Sequence, residues 1–91
     1  MCELTNFKNI LEEFKDKPNK EILIYLEGEF LAQSRDEAAL TIALDSSTDS
    51  SLKFLLSYLH KERGIDIKTA AREITKMAKE KDYLHSISQV I

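Results

Sequence analysis

Residue types that commonly carry out catalysis are sparse in this chain and are not clustered along its sequence. The two histidines, His60 and His85, lie far apart, and the single cysteine, Cys2, cannot form an internal disulfide. The sequence contains no glycine-rich phosphate loop, no metal-ligand spacing and no nucleophile motif. We therefore predict a protein that is not an enzyme and that holds neither a metal nor a cofactor.

The clearest pattern of charged residues is a basic stripe near the C-terminus, formed by Lys68, Arg72, Lys76 and Lys79. At ~100° per residue in a helix, these four side chains fall within about 80° on one face. Such a stripe can bind nucleic acid phosphates or an anionic membrane surface. The alternative is the ordinary solvated face of an amphipathic helix, with part of its charge paired to Glu73 and Glu80.

The formal net charge of the chain is −3, but it is unevenly distributed. Residues 1–45 contain five Lys or Arg against ten Asp or Glu, whereas residues 46–91 contain eight against six. The two halves therefore carry −5 and +2. The acidic total disfavours strong nonspecific binding to nucleic acid, and the basic half is where we expect a partner to bind.

The composition predicts an all-α fold in a single domain over residues 1–91. Hydrophobic residues make up 43% and charged residues 32%, as in ordinary globular proteins. Two Gly and one Pro leave little material for the tight turns of a β-protein. We predict a small antiparallel helical bundle of four to five helices, at about 5–16, 18–33, 35–44, 51–63 and 66–84.

Local signals set the boundaries of the second and third predicted helices. Pro18 is suited to open the second helix, and Ser34 with Glu37 has the form of a capping box for the third. No Gly or Pro falls at this boundary, so one continuous rod over Pro18–Leu44 is the alternative. Gly28, inside the second helix, predicts the close approach of a neighbouring helix, and a hinge or a ligand contact is the alternative.

The best-patterned stretch, Ser51–Asp82, consists of two amphipathic helices separated by Gly64. Asp49 or Ser50 can cap the first helix, Gly64 can end it, and Asp66 can cap the second. Helical spacing predicts two apolar faces, one formed by Leu52, Leu55, Leu56 and Leu59, and the other by Ile67, Ala70, Ala71, Ile74, Met77 and Ala78.

This helix–glycine–helix arrangement also suggests a DNA-binding helix-turn-helix. With Gly64 as the turn glycine, His60 stands where a small residue is needed, and Arg63 stands where the residue is usually apolar. These mismatches and the acidic net charge make nucleic acid the weaker prediction for the partner.

The ends of the chain bear on location and assembly. Residues 83–91 form a short apolar tail that either continues the last helix or folds back on the bundle, and an exposed tail would favour an oligomer. The N-terminal residues carry no secretory signal, and no window approaches the ~20 apolar residues that span a bilayer. We expect a cytoplasmic protein whose contact with a membrane, where it has one, is peripheral.

The order of these elements is similar to that of the pediocin-like bacteriocin immunity proteins, which are small cytoplasmic helical bundles of lactic acid bacteria and their relatives. The resemblance is one of helix patterning. It is carried by Phe7–Phe14, by Lys20–Leu31 ("KEILIYLEGEFL") and above all by Leu52–Met77 ("LKFLLSYLHKERGIDIKTAAREITKM").

The resemblance implies a noncatalytic protein that protects a bacteriocin producer. Such a protein associates, from inside the cell, with a mannose phosphotransferase permease occupied by the bacteriocin, and it blocks pore formation. The C-terminal half is implied to determine recognition, with partner-binding residues Lys61, Arg63, Lys68, Arg72, Lys76, Lys79, Tyr83, Leu84 and Ile87. The alternative function is a small regulatory or adaptor module that binds protein or nucleic acid through the basic stripe.

Overall fold

The computed structural model describes the backbone of residues 12–90 and the side chains of residues 12–84. Within this range the chain forms no strand and four helices, α1 (Asn19–Glu29), α2 (Glu37–Asp45), α3 (Ser50–Arg63) and α4 (Ile67–Val90). Residues 12–14 are also helical, while the rest of the helix predicted at about 5–16 lies outside the described residues or in a turn. The prediction of a small all-α helical bundle is confirmed.

The core is formed by the apolar faces that helical spacing predicted. Leu55 and Leu59 of α3 and Ala71, Ile74 and Ala78 of α4 are completely buried. The backbone of α4 approaches α2 and α1 closely, since the alanines of α4 allow short distances between helix axes. The packing therefore makes α4 the central helix, with one face buried along the bundle and the opposite face exposed.

The boundary between α1 and α2 differs from its prediction. The first of the two helices ends at Glu29 rather than near Gln33, residues 30–35 form turns, and the alternative of one continuous rod is wrong. Three backbone hydrogen bonds hold these turns, and they run from Gln33 N–H to the Phe30 carbonyl, from Ser34 N–H to the Leu31 carbonyl and from Asp36 N–H to the Gln33 carbonyl. The chain therefore reverses between α1 and α2 without a Gly or a Pro at the turn.

The predicted capping box at Ser34 and Glu37 is wrong, because Asp36 caps α2. Asp36 Oδ1 accepts from the backbone N–H groups of Ala38 and Ala39 at 3.1 and 3.2 Å. Ser34 is fully buried instead, and its hydroxyl donates to the Leu31 carbonyl at 3.1 Å. Asp and Ser are comparable caps, so the tertiary position of Ser34 decided between them.

The predicted close approach of a neighbouring helix at Gly28 is absent from the described structure. A Cβ built at Gly28 would meet no atom within 4 Å, and the residue is exposed. The helix α1 carries this glycine on its solvent side, so the interpretation of Gly28 as a packing residue is wrong.

The connection between α3 and α4 follows its prediction closely. Asp49 caps α3, and Gly64 ends it in the left-handed conformation at φ 68°. The Ile65 N–H donates to the Leu59 carbonyl at 3.1 Å, which satisfies a carbonyl at the helix end. Asp66 Oδ1 accepts from the Thr69 N–H at 2.8 Å, and this bond lowers the pKa of the Asp66 carboxyl. These local caps fix where α4 begins.

The chain after Asp82 continues α4 to Val90. Of the two predicted alternatives for the tail, the continued helix is therefore the one that the structure has up to this residue. Along its length α4 runs in the same direction as α1. Leu23 lines a groove with Met77, and Glu27 forms an ion pair with Lys81 one turn further along both helices. The molecule is elongated, 51 × 25 × 24 Å, and its longest helix is α4, whose 24 residues extend for about 36 Å.

Candidate functional site

The basic stripe lies on the exposed side of α4, opposite the core. All four of its residues are exposed. At ~100° per residue, Tyr83 falls within the same arc as Lys68, Lys76 and the other two cations, and the residue is 67% exposed. From Lys68 to Tyr83 this line of side chains extends for about 22 Å. We refer to Lys68, Arg72, Lys76, Lys79 and Tyr83 as the outer face of α4.

The four cations of the basic stripe form no ion pair with the described part of the chain. None of its four cations has a described carboxylate oxygen within the 4.0 Å of an ion pair. Glu73 and Glu80, which the sequence offered as partners, form no such pair with the stripe. The outer face therefore presents positive charge that no described ion pair neutralises, and the Asp66 carboxylate interacts with Arg72 only from beyond ion-pair distance.

The opposite side of α4 carries charges that are paired with other elements. Lys81 donates to both carboxylate oxygens of Glu27, at 3.2 and 3.4 Å, and Glu27 is only 3% exposed. Arg35 donates through Nε and Nη2 to the two oxygens of Asp82, at 2.9 and 2.8 Å. Hydrogen bonding to Asp82 raises the pKa of the Arg35 guanidinium. Both ion pairs fasten the C-terminal half of α4 to the α1–α2 region.

Arg63, predicted to bind a partner, is engaged within the molecule. Its Nη1 donates to the Lys17 carbonyl at 2.8 Å and to the Asn19 side chain at 2.7 Å. Its Nη2 donates to the carbonyls of Phe14 and Lys15, at 3.2 and 3.1 Å.

The same Nη2 atom donates to the Tyr58 hydroxyl at 3.2 Å, and the guanidinium carbon lies 5.5 Å from the centre of the Tyr58 ring. The Arg63 guanidinium thus satisfies the carbonyls at the end of the first helical segment, and we remove Arg63 from the candidate surface. Together, Arg35, Arg63 and Lys81 are the anchored cations of this protein.

Two other predicted partner-binding residues lie apart from the outer face. Lys61 is exposed but belongs to α3, not to α4. The backbone of Ile87 is part of α4, and its side chain lies outside the described residues. The predicted set is therefore brought together only in part, and the members that share one surface are those of the basic stripe with Tyr83 and its neighbour Leu84.

An apolar groove adjoins the C-terminal end of the outer face. It has a volume of about 490 Å³ and is lined by Lys76, Lys79, Glu80, Tyr83 and Leu84. Its lining is almost entirely apolar because the lysines contribute their aliphatic stems. Leu84 is 63% exposed here. The groove places exposed apolar surface directly beside unpaired positive charge.

A larger cleft, of about 620 Å³, adjoins the other end of the stripe between α2, α3 and the start of α4. Ile42, Leu56 and Ile67 are among its apolar residues, and Ile42 is 68% exposed. Lys68 lines this cleft as well as belonging to the stripe. The basic stripe thus begins at one apolar concavity and ends at another.

The sequence analysis did not predict that the anchored cations bond to other parts of the chain. For two of them, the position in the helix indicated that they lie on a buried face. Arg63 lies four residues after Leu59 and Lys81 three after Ala78, so each continues a buried face. Glu27 likewise lies four residues after the buried Leu23. For the cleft residue Ile42 the sequence offered no such signal, because it depends on how α2 packs against α3.

Comparison with known proteins gives no match. No family model matches the chain, and neither a curated protein nor a solved structure matches it significantly. Among the described residues, no helix is long and apolar enough to cross a membrane, and no group of three or more metal-ligating side chains occurs.

Proposed function

We propose that this chain is a noncatalytic binding protein whose recognition surface is the outer face of α4 together with the cleft that begins at Lys68. The observation that carries this proposal is the set of four exposed cations without a described ion pair, placed between two apolar concavities. Unpaired charge beside exposed apolar surface is the composition from which binding surfaces are made.

Within this class we propose bacteriocin immunity, the function that the resemblance to the pediocin-like immunity proteins implies. The protein would act from the cytoplasmic side on a permease occupied by a bacteriocin, and it would prevent pore formation without catalysing a reaction. The cleft supplies the contact with a protein, because the exposed Ile42 and the apolar residues beside it can accept apolar side chains of a partner.

Expression of the full chain in a strain sensitive to pediocin-like peptides tests this function. We expect the strain to tolerate at least about tenfold more of one such peptide than the same strain without the chain. Ile42→Asp should abolish this protection, because it places a charge in the cleft.

The matched control is Ile24→Asp, which makes the same change at an exposed position of α1 outside the cleft. It should leave protection intact. Absence of protection by the unmodified chain against a panel of pediocin-like peptides would overturn the proposal of immunity.

The competing proposal is a regulatory or adaptor module that binds nucleic acid through the basic stripe. The same unpaired cations favour it, since phosphates are bound by exposed Lys and Arg. It predicts a mobility shift with duplex DNA that weakens with salt and with the substitutions Lys68→Glu and Lys76→Glu. If no shift occurs even at low salt, the nucleic acid proposal is discarded.

A further inference from the structure

We infer that the outer face of α4 binds an anionic phospholipid surface. This inference rests on the proposed use of that face for recognition, and it names the chemistry of its ligand. Lys68, Arg72, Lys76 and Lys79 project from one side of one helix with no described carboxylate in ion-pair reach. Lipid phosphates in a leaflet offer complementary negative charge over the whole length of such a line.

The area of the outer face favours a lipid surface over a protein. A strip about 22 Å long on a helix about 10 Å wide offers a few hundred Å² of surface. A stable protein interface needs ~800 Å² from each partner, so this strip is too small to hold a protein by itself. A charged leaflet requires no such area, because each basic residue near its surface strengthens binding by about fivefold.

The apolar residues at the C-terminal end favour a lipid surface over a nucleic acid. Tyr83 and Leu84 are both mostly exposed and line the groove with the stems of Lys76 and Lys79. Tyrosine favours the boundary between headgroups and acyl chains, where its ring is in apolar surroundings and its hydroxyl remains hydrated. An anionic bilayer can therefore contact both the cations of the basic stripe and the apolar residues beside them, whereas a nucleic acid backbone pairs only with the cations.

The distribution of charge outside the basic stripe agrees with contact between the protein and a lipid surface through one face only. The chain is acidic overall, and residues 1–45 account for its negative charge. Contact through the outer face of α4 alone brings the basic stripe to the lipid, while the buried face of α4 stays in the core. In this arrangement α4 lies along the membrane surface and does not insert its apolar face.

Binding of the full chain to phospholipid vesicles tests this inference. The probe is a vesicle of about half phosphatidylglycerol and half phosphatidylcholine, compared with one of phosphatidylcholine alone, at about 50 and 300 mM salt. We expect co-sedimentation with the anionic vesicles only, weakened at least tenfold at the higher salt. The triple variant Arg72→Glu/Lys76→Glu/Lys79→Glu should lose binding by at least about a hundredfold.

The control is Lys17→Glu/Lys20→Glu/Lys61→Glu, which changes the net charge by the same amount at exposed positions outside both the outer face and the cleft. It should retain most of the binding, and helix content by circular dichroism should match in all variants. Tyr83→Ser/Leu84→Ser should weaken the binding that remains at high salt, since that part depends on apolar contact.

Equal binding to neutral vesicles, or equal losses in the triple variant and its control, would overturn the lipid inference. So would salt-sensitive binding to duplex DNA in the absence of vesicle binding. The two proposals fail separately. Protection from bacteriocin without vesicle binding removes only the lipid inference, while vesicle binding without protection removes only the immunity function.

Discussion

The anchored cations and the basic stripe are made of the same residue types but have opposite surroundings. Arg63 has five acceptors, and Lys81 meets a carboxylate that is almost fully buried. The basic stripe has no described ion pair at all. The anchored cations already bond to other parts of the chain. The cations of the basic stripe do not form such bonds and are therefore available to a ligand.

Replacing Arg63 should have the largest effect on stability. Arg63→Ala removes the donors for the carbonyls of Phe14, Lys15 and Lys17, and we expect a loss of about 3 kcal/mol from the free energy of unfolding. Thermal unfolding should begin more than about 10 °C lower. Arg72→Ala, the same change within the basic stripe, should stay within about 0.5 kcal/mol. Equal midpoints for the two variants would erase the distinction between anchored and free arginines.

Removing Lys81 should have the next largest effect, because Glu27 would remain buried without its partner. We expect Lys81→Ala to lower the free energy of unfolding by about 2 kcal/mol, measured by urea denaturation. Addition of Glu27→Leu should restore much of that loss by removing the unpaired carboxylate. Lys79→Ala is the matched control on the exposed side. A double variant no more stable than Lys81→Ala would show that the ion pair is not the cause.

The cap of α4 should give a smaller effect that depends on pH. Because the Thr69 N–H lowers the pKa of Asp66 below its ordinary value of 3.8, the ionised cap stabilises the fold above that value. The stabilisation is lost as the pH falls through the lowered pKa.

Asp66→Asn keeps a cap that does not titrate. The difference between the urea midpoints of the native chain and this variant should therefore be largest near neutral pH and should shrink below about pH 3. A difference that stays constant from neutral to acidic pH would contradict this assignment of the cap.

Neutralising the basic stripe should have the smallest effect on stability. Lys76→Gln/Lys79→Gln should change the free energy of unfolding by less than about 0.5 kcal/mol, since neither lysine forms a described ion pair. Chemical denaturation measures this directly. A loss as large as that of Lys81→Ala would mean that the stripe supports the fold and is not reserved for a ligand.

Local patterns in the sequence determined the all-α class, the apolar faces of α3 and α4, and the connection between them. Each depends on residues three to seven positions apart, as in the Gly64 stop and the Asp66 cap. The same helical register places the four cations of the basic stripe on one face of α4. Helical periodicity is a local property, so a sequence displays it directly.

Tertiary structure alone decided which cations are free. The partners of Arg63 among residues 14–19 lie 44 to 49 positions away in sequence, and Glu27 lies 54 positions from Lys81. The burial of Ser34, which leaves Asp36 as the cap of α2, likewise could not be predicted from the sequence. Contacts between distant residues follow from how the helices pack together, and no spacing within one helix encodes them.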